Sequence, residues 1–351
     1  VNTGVHVMTD QQHTVGIDLA KNSFYIVVVD KSCRVVEKKK RTRSQLVSYI
    51  AQRPESTIAM EACASSHYWA RTLTQLGHNV VLLPAQHVKG YSRGQKNDYN
   101  DAQAIAEACH HGAIRPVLPK TVDEQDDSTF ARIRQQLVHD RTRLANHIRG
   151  ILAEYGIVLP VGLHILKRSL PEILEDADNQ LTYRMRLLLS RQRERLMALD
   201  EEVDWYDEQL KQSVEKDSAC QRMLAIPGVG DIVAHALKQW MGNGQQFSKG
   251  RDASAALGLV PRQHSTGGKA RLMGISKRGD ARVRSAVIHG ARAVVSRASK
   301  KDDPLSRWIQ RLVEHRGFNR AVVAYANKMV RFAWVCVAKK ERFLIRHAAA
   351  A

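Results

Sequence analysis

The hydrophobic pattern falls into three regimes. In the first, Thr14 to Leu19 and Phe24 to Asp30 are rich in Val, Ile and aromatic residues, with Lys21 and Asn22 between them, and read as a hairpin. Cys33 to Lys40 extends it as a third strand. Then follow an amphipathic helix over Ser44 to Gln52, a buried strand over Ser56 to Glu61, a helix over His67 to Leu76 and a strand over Asn79 to Leu83. Ala102, Ile105, Ala106 and Cys109 stand at helical spacing, so a helix over Asp98 to His111 closes the unit. A meander followed by alternating helix and strand is an α/β layout.

The second regime has the period of long helices. Phe130, Ile133, Leu137, Leu144, Ile148, Ile151 and Tyr155 lie on one face, and a matching run passes through Met185, Leu189, Leu196, Leu199, Val203, Tyr206 and Leu210. Gly156, Pro160 and Pro171 interrupt the two, which predicts an antiparallel coiled-coil arm. The heavily charged polar faces favour projection or self-association over an ordinary helical hairpin packed on the core. Beyond Ser218 the chain turns to short helices and glycine-rich, basic segments, with longer helices over Arg282 to Ser299 and Arg320 to Val337. The expected division is 1–125, 126–217 and 218–351.

Charge adds a partner to this layout. Lys and Arg outnumber Asp and Glu by 54 to 35 in 351 residues, a formal net charge of +19 that points to a polyanion. No window approaches the ~20 uninterrupted apolar residues of a bilayer span. The five cysteines are scattered without a CxxC pair, which favours neither a zinc site nor a disulfide framework. A cytoplasmic protein is expected.

Four acids carry the sharpest chemical signal. Asp18 sits inside an apolar strand, where a carboxylate costs free energy unless it meets a cation or a hydrogen-bond donor. Glu61 repeats the anomaly at the end of the fourth strand, and Asp98 and Asp101 share one face of a helix start. Singly, each has a bland explanation: a strand-end cap, an ion pair, or the acidic first turn that a helix favours. Together they make the oxygen-rich set that suits Mg²⁺ in phosphodiester chemistry. The strand order supplies a scaffold, because a meander followed by α, β, α, β and a closing helix is the ribonuclease-H-like arrangement, in which the first strand, fourth strand and last helix converge.

Two further segments concern phosphate. Ile226-Pro227-Gly228-Val229-Gly230 is similar to the turn of helix-hairpin-helix modules, where Gly228 and Gly230 would let backbone N–H groups approach an anion; the alternative is a tight turn between helices. The stretch from Gly258 to Asp280 brings Arg262, His264, Ser265, Thr266, Gly267, Gly268 and Lys269 together, then Lys277 and Arg278. It reads as a flexible phosphate-binding loop or as a nucleophile with cationic neighbours.

Gly16-Ile17-Asp18-Leu19-Ala20-Lys21, Met60-Glu61-Ala62, Lys96-Asn97-Asp98-Tyr99-Asn100-Asp101-Ala102, Ile226 to Gly230 and Gly258 to Asp280 occur in an order that resembles the DEDD-type insertion-sequence transposases, the IS110 family and its IS1111 subgroup, described as RNA-guided recombinases. The resemblance implies a Holliday-junction-resolvase-like N-terminal domain, a coiled-coil arm and a mainly α C-terminal transposase domain with a serine nucleophile. It assigns Asp18, Glu61, Asp98 and Asp101 as metal ligands. The family's serine precedes a glycine, where this chain has Thr266, so Ser265 or Thr266 is the nucleophile; Ser265 is preferred as the less hindered primary hydroxyl. Donor and target DNA and a structured non-coding guide RNA encoded by the element are the implied partners; the two heptad-like runs, and the need for several active sites when two DNA partners recombine, add the expectation of a homodimer assembling to a tetramer, at the bacterial nucleoid. Two other functions remain open on the residues: a junction-selective Mg²⁺-dependent endonuclease that uses water, and a nucleic-acid scaffold whose acids are structural. Trapping of protein on DNA in denaturant separates the first from the recombinase, and metal-dependent cleavage removes the second.

Overall fold

The computed structural model describes residues 13–92, 95, 97–111 and 114–343, so Lys96 of the fourth-acid motif lies outside the described residues. Contacts divide the chain into two units, Val1–Gln125 and Asp126–Ala351.

In the first unit, β1 (Thr14–Leu19), β2 (Ser23–Val29), β3 (Val35–Thr42), β4 (Thr57–Glu61) and β5 (Asn79–Leu83) form one sheet in the order β3-β2-β1-β4-β5. The β1-β2 and β2-β3 pairs are antiparallel, whereas β1-β4 and β4-β5 are parallel. That is the arrangement read from the sequence. Strands β1, β2 and β4 are covered on both faces, which is why their apolar runs are nearly continuous. One face packs Ile17, Phe24, Ile26 and Ile58 against Leu46 and Ile50 of α1 (Arg43–Ala51) and Trp69 and Leu73 of α2 (Ser66–Gln75). On the other face, Val27 and Val29 meet Ala102 and Ala106 of α4 (Asp98–His110), which follows the short α3 (Ala85–Val88). Edge strand β3 is largely exposed and carries Lys38, Lys39, Lys40 and Arg41, charges that discourage edge-to-edge pairing.

The second unit opens with α5 (Val122–Glu154), α6 (Leu163–Glu175) and α7 (Tyr183–Lys216). Arg134 pairs with Asp207, and Arg141 with Asp200 at 2.5 Å, so α5 and α7 run antiparallel. The interruption expected between them is itself a helix: Pro171 lies inside α6, whose Leu166 and Leu170 are buried against Leu144, Ile148, Leu152, Leu189 and Leu196. Leu163, Leu166, Leu170 and Ile173 keep helical spacing through the proline, and their burial outweighs its lost backbone hydrogen bond. The apolar seam of the arm is therefore consumed within the chain.

Helices α8 (Ser218–Met223), α9 (Asp231–Met241), α10 (Gly250–Ala256), α11 (Ala281–Val295), α12 (Pro304–Arg316) and α13 (Phe318–Ala338) enclose the second core. By length and composition α13 alone, among the described residues, could cross a membrane, but 67% of its most apolar window is buried in this core. The segment expected as a flexible loop is instead a two-stranded hairpin, β6 (Pro261–Thr266) and β7 (Lys269–Ile275). Its turn is Gly267-Gly268, both with positive φ (55° and 77°), the conformation a two-residue hairpin turn requires.

Candidate active site

The site in the first unit is built by a missing side chain. A Cβ on Gly16 of β1 would stand 2.1 Å from the Ala102 carbonyl oxygen and 2.8 Å from the Ala106 nitrogen, so only glycine lets the backbone of α4 lie on the strand. Asp18 is two residues along β1 and faces the same side. Asp98 and Asp101 occupy the first turn of α4, whose N-terminus is capped by the Asn97 side chain accepting from the Tyr99 amide at 2.9 Å. The close approach brings carboxylate oxygens of Asp18, Asp98 and Asp101 within 4.8 Å of one another. Glu61, at the end of β4, stands beside this trio, near enough to act on Asp18 through its charge.

Like charges so placed oppose ionisation. Burial, and then the charges of Asp101, Asp98 and Glu61, push the Asp18 carboxyl up to about 6, against a lowering backbone hydrogen bond from Leu19. Burial and the Asp101 charge likewise raise Glu61. Ser92 Oγ donates to Asp101 Oδ1 at 3.3 Å. Carboxylates that repel one another, with no lysine or arginine in salt-bridge contact among the described residues, form a donor set that fits a hard divalent cation.

Tyr25 pairs across the ladder with Asp18, and its ring meets that of Tyr99 edge-on at 5.0 Å, with Lys40 Nζ 5.1 Å from the Tyr25 centroid. These side chains wall the site, and sequence reasoning missed them. It noted Gly16 only as part of a motif and missed its role, although a glycine inside an apolar strand is the usual signal of a close backbone approach.

The hairpin distributes the second set of candidates. Ser265 opposes Ala270, Thr266 opposes Lys269, and His264 opposes Arg271. Alternation along a strand puts Ser265 with Gln263, whose Nε2 donates to the Ser265 hydroxyl at 2.7 Å. His264 shares the opposite face with Thr266, so the expected grouping of Ser265 with both a histidine and Lys269 is not found; those neighbours belong to Thr266. All of β6, including Arg262, is exposed, as is Lys269.

Two glycine-rich turns have packing reasons. At Gly228 (φ 83°) a Cβ would stand 2.6 Å from the Gly290 carbonyl oxygen of α11, and Tyr325 donates to the Pro227 carbonyl at 2.6 Å. The turn is thus clamped to α11 and α13, the tight-turn alternative, while Gly230 has open space around it at the start of α9. Lys277 and Arg278 lie where Gly258 and Gly279 press against the end of α10: a Cβ on Gly258 would meet the Arg278 nitrogen at 2.4 Å, and one on Gly279 the Ala256 oxygen at 2.1 Å. This part of the basic stretch is a packed turn.

Residues 15–157 match the DEDD transposase model of the IS110 family, and residues 220–305 match the model described as transposase IS116/IS110/IS902 family. The chain is 41% identical over 329 residues to the transposase for insertion sequence element IS1111A of Coxiella burnetii, covering 94% of this chain and 90% of that one. It is 38% identical over 323 residues to the transposase for insertion sequence element IS1328 of Yersinia enterocolitica, covering 92% and 95%. Among solved structures, RuvC of T. thermophilus in complex with a Holliday junction substrate is similar at 16% identity and a TM-score of 0.24, over 30% of this chain and 100% of that one. The fold is assigned from the strand order itself.

Proposed function

The chain belongs to the IS110 family of insertion-sequence transposases, enzymes that cut and rejoin DNA, and on that premise we propose that Asp18, Glu61, Asp98 and Asp101 are its strand-cutting centre and the β6-β7 hairpin its nucleophile arm. The observation that carries this reading is the approach of α4 to β1 at Gly16, which gathers three carboxylates within 4.8 Å and leaves them repelling one another. Mg²⁺ held by these acids would supply the positive charge that polarises a phosphodiester.

A divalent cation held by the acids would position the scissile phosphate for attack by a hydroxyl of the hairpin. In that step Ser265 Oγ bonds to phosphorus, its proton passes to the departing DNA oxygen, and the phosphodiester is exchanged for a phosphoserine ester. The bond energy is kept, so a hydroxyl from another strand can reverse the step and rejoin the DNA. Thr266 is the competing nucleophile, since His264 and Lys269 flank it. The exposed basic residues Arg262 and Lys269, with Lys277 and Arg278, suit contact with DNA phosphates; Gly230 fits a backbone contact, and Gly228 serves the turn that presents it.

The family reading adds an element-encoded guide RNA that pairs with donor and target DNA, for which the +19 charge provides capacity. It also adds assembly of two copies into a dimer and then a tetramer, a bacterial cytoplasmic and nucleoid setting, and no membrane partner. Within the second unit, 126–217 serves as the arm and 218–351 as the transposase domain. The test is recombination between donor and target DNA with and without RNA transcribed from the element's flank, followed by denaturing gels. A covalent protein–DNA species that disappears in Ser265→Ala supports phosphoserine chemistry. Cleavage with no such species in wild type supports a water-using endonuclease, and no metal-dependent cleavage at all supports a scaffold.

A further inference from the structure

A cleft of about 410 Å³ opens in the second unit between the start of α10 and the last turns of α13. At one edge of it α10 lies close against α13 at Gly250, where a Cβ would stand 3.0 Å from both the Cα and the carbonyl oxygen of Arg331. The contact sets Arg251 beside Arg331. Burial, and then the Arg251 charge, make Arg331 harder to keep protonated. Glu341 is the one acid in the lining, against Lys249, Arg251, Arg331, Lys339 and Arg342.

The interior has a different chemistry. Phe332 and Phe343 meet at 57° with their centroids 4.8 Å apart, a corner that offers a ring face and a ring edge, and Trp334 is fixed by its Nε1 donating to the Gly244 carbonyl at 3.0 Å. Aromatic walls beneath two juxtaposed guanidiniums match a flat π ring that carries a phosphate. The volume suits a single nucleotide and excludes a duplex. A base inside a helical stack has no free face to offer, so the nucleotide must be unstacked.

We propose that this cleft receives one unpaired nucleotide of a DNA strand, with its base against Phe332 and Phe343 and its phosphate between Arg251 and Arg331. The choice of DNA rests on the recombinase reading; the fit of base and phosphate does not. Strand exchange produces such nucleotides wherever paired strands are opened, and a site that holds one would keep an opened strand from closing.

The experiment uses the full chain and two DNA duplexes of equal length, one fully paired and one with a single extrahelical 2-aminopurine. Wild type is expected to bind the bulged duplex about tenfold more tightly and to quench its fluorescence. Arg251→Gln, an exposed change, and Phe343→Ala should bring the ratio close to one while circular dichroism shows the fold retained. Asp18→Ala should keep the preference although it loses cleavage, which separates failure of the metal-centre reading from failure of this one. An unchanged preference in both Arg251→Gln and Phe343→Ala would overturn the proposal. Competition by free dAMP as strong as by the bulged strand would also overturn it, assigning the cleft to a free nucleotide.

Discussion

Gly16 and Ala102 are in backbone contact: the Cβ that any other residue would bring to position 16 would stand 2.1 Å from the Ala102 carbonyl oxygen. The acids converge because of this contact. Gly16→Ala should lower stability by ~1–3 kcal/mol, the range for overpacking, and push α4 off the sheet. Strand cleavage should fall far more than stability does. Melting curves and cleavage rates measured on the same preparations check this, and a variant with full activity would mean that the α4 approach does not set the site.

The raised Asp18 carboxyl gives a pH signature. With an ordinary value near 3.8 when unfolded and about 6 when folded, the folded state binds the extra proton between those values. Stability of the metal-free protein therefore falls as pH rises from 4 through 6 and is flat beyond, as far as this group is concerned. Asp18→Asn should remove that loss, and added Mg²⁺ should offset it at neutral pH. Thermal melts at pH 5 and pH 7.5 with and without Mg²⁺ give the comparison; an Asn variant no more stable than wild type at pH 7.5 without metal speaks against the repulsion.

In the arm, buried Asp200 accepts from both Arg141 and Lys167. Burial alone would raise it, but the hydrogen bonds from Lys167 and Arg141 hold it below the usual aspartate range. Asp200→Ala leaves two cations unpaired and should cost about 3 kcal/mol, seen as a lower denaturant midpoint. A neutral result would show that the cations swing out to water.

Self-association through the arm cannot use Leu196, which is buried against α5 and α6. The exposed large apolar side chains of α7 are Tyr183, Leu187, Leu188 and Trp205, the first three at one end of the helix. If two copies meet along the arm, Leu187→Glu with Leu188→Glu should yield a monomer by light scattering while leaving melting unchanged. An unchanged mass would move the dimer contact elsewhere.

Much of this was legible in the sequence because burial alternates there in ways that composition records. Asp18 and Glu61 stood out as carboxylates in apolar strands, and the order of strands and helices defined the sheet. Helix α6 was obscured by Pro171, read as a breaker although Leu166 and Leu170 keep the helical period across it. The β6-β7 hairpin escaped because both strands are exposed and show no apolar alternation, leaving Gly267-Gly268 as its local mark. Gly228, Gly258 and Gly279 could not be interpreted from sequence, since their reason is a backbone that arrives from a distant segment.

The proposed covalent ester at Ser265 or Thr266 is tested separately from the acids. Loss of the denaturant-stable adduct in Ser265→Ala alone assigns the serine. Loss in Thr266→Ala alone moves the nucleophile to the residue flanked by His264 and Lys269, and an adduct in the double variant removes the hairpin from the chemistry.

The central claim is that the acids gathered by Gly16 cut DNA, and the direct measurement is Mg²⁺-dependent strand cleavage by Asp18→Asn, which keeps the side-chain shape and removes the charge. The variant should fold, bind DNA as wild type does and leave the strands uncut at every Mg²⁺ concentration. Wild-type cleavage by Asp18→Asn in Mg²⁺ would contradict it.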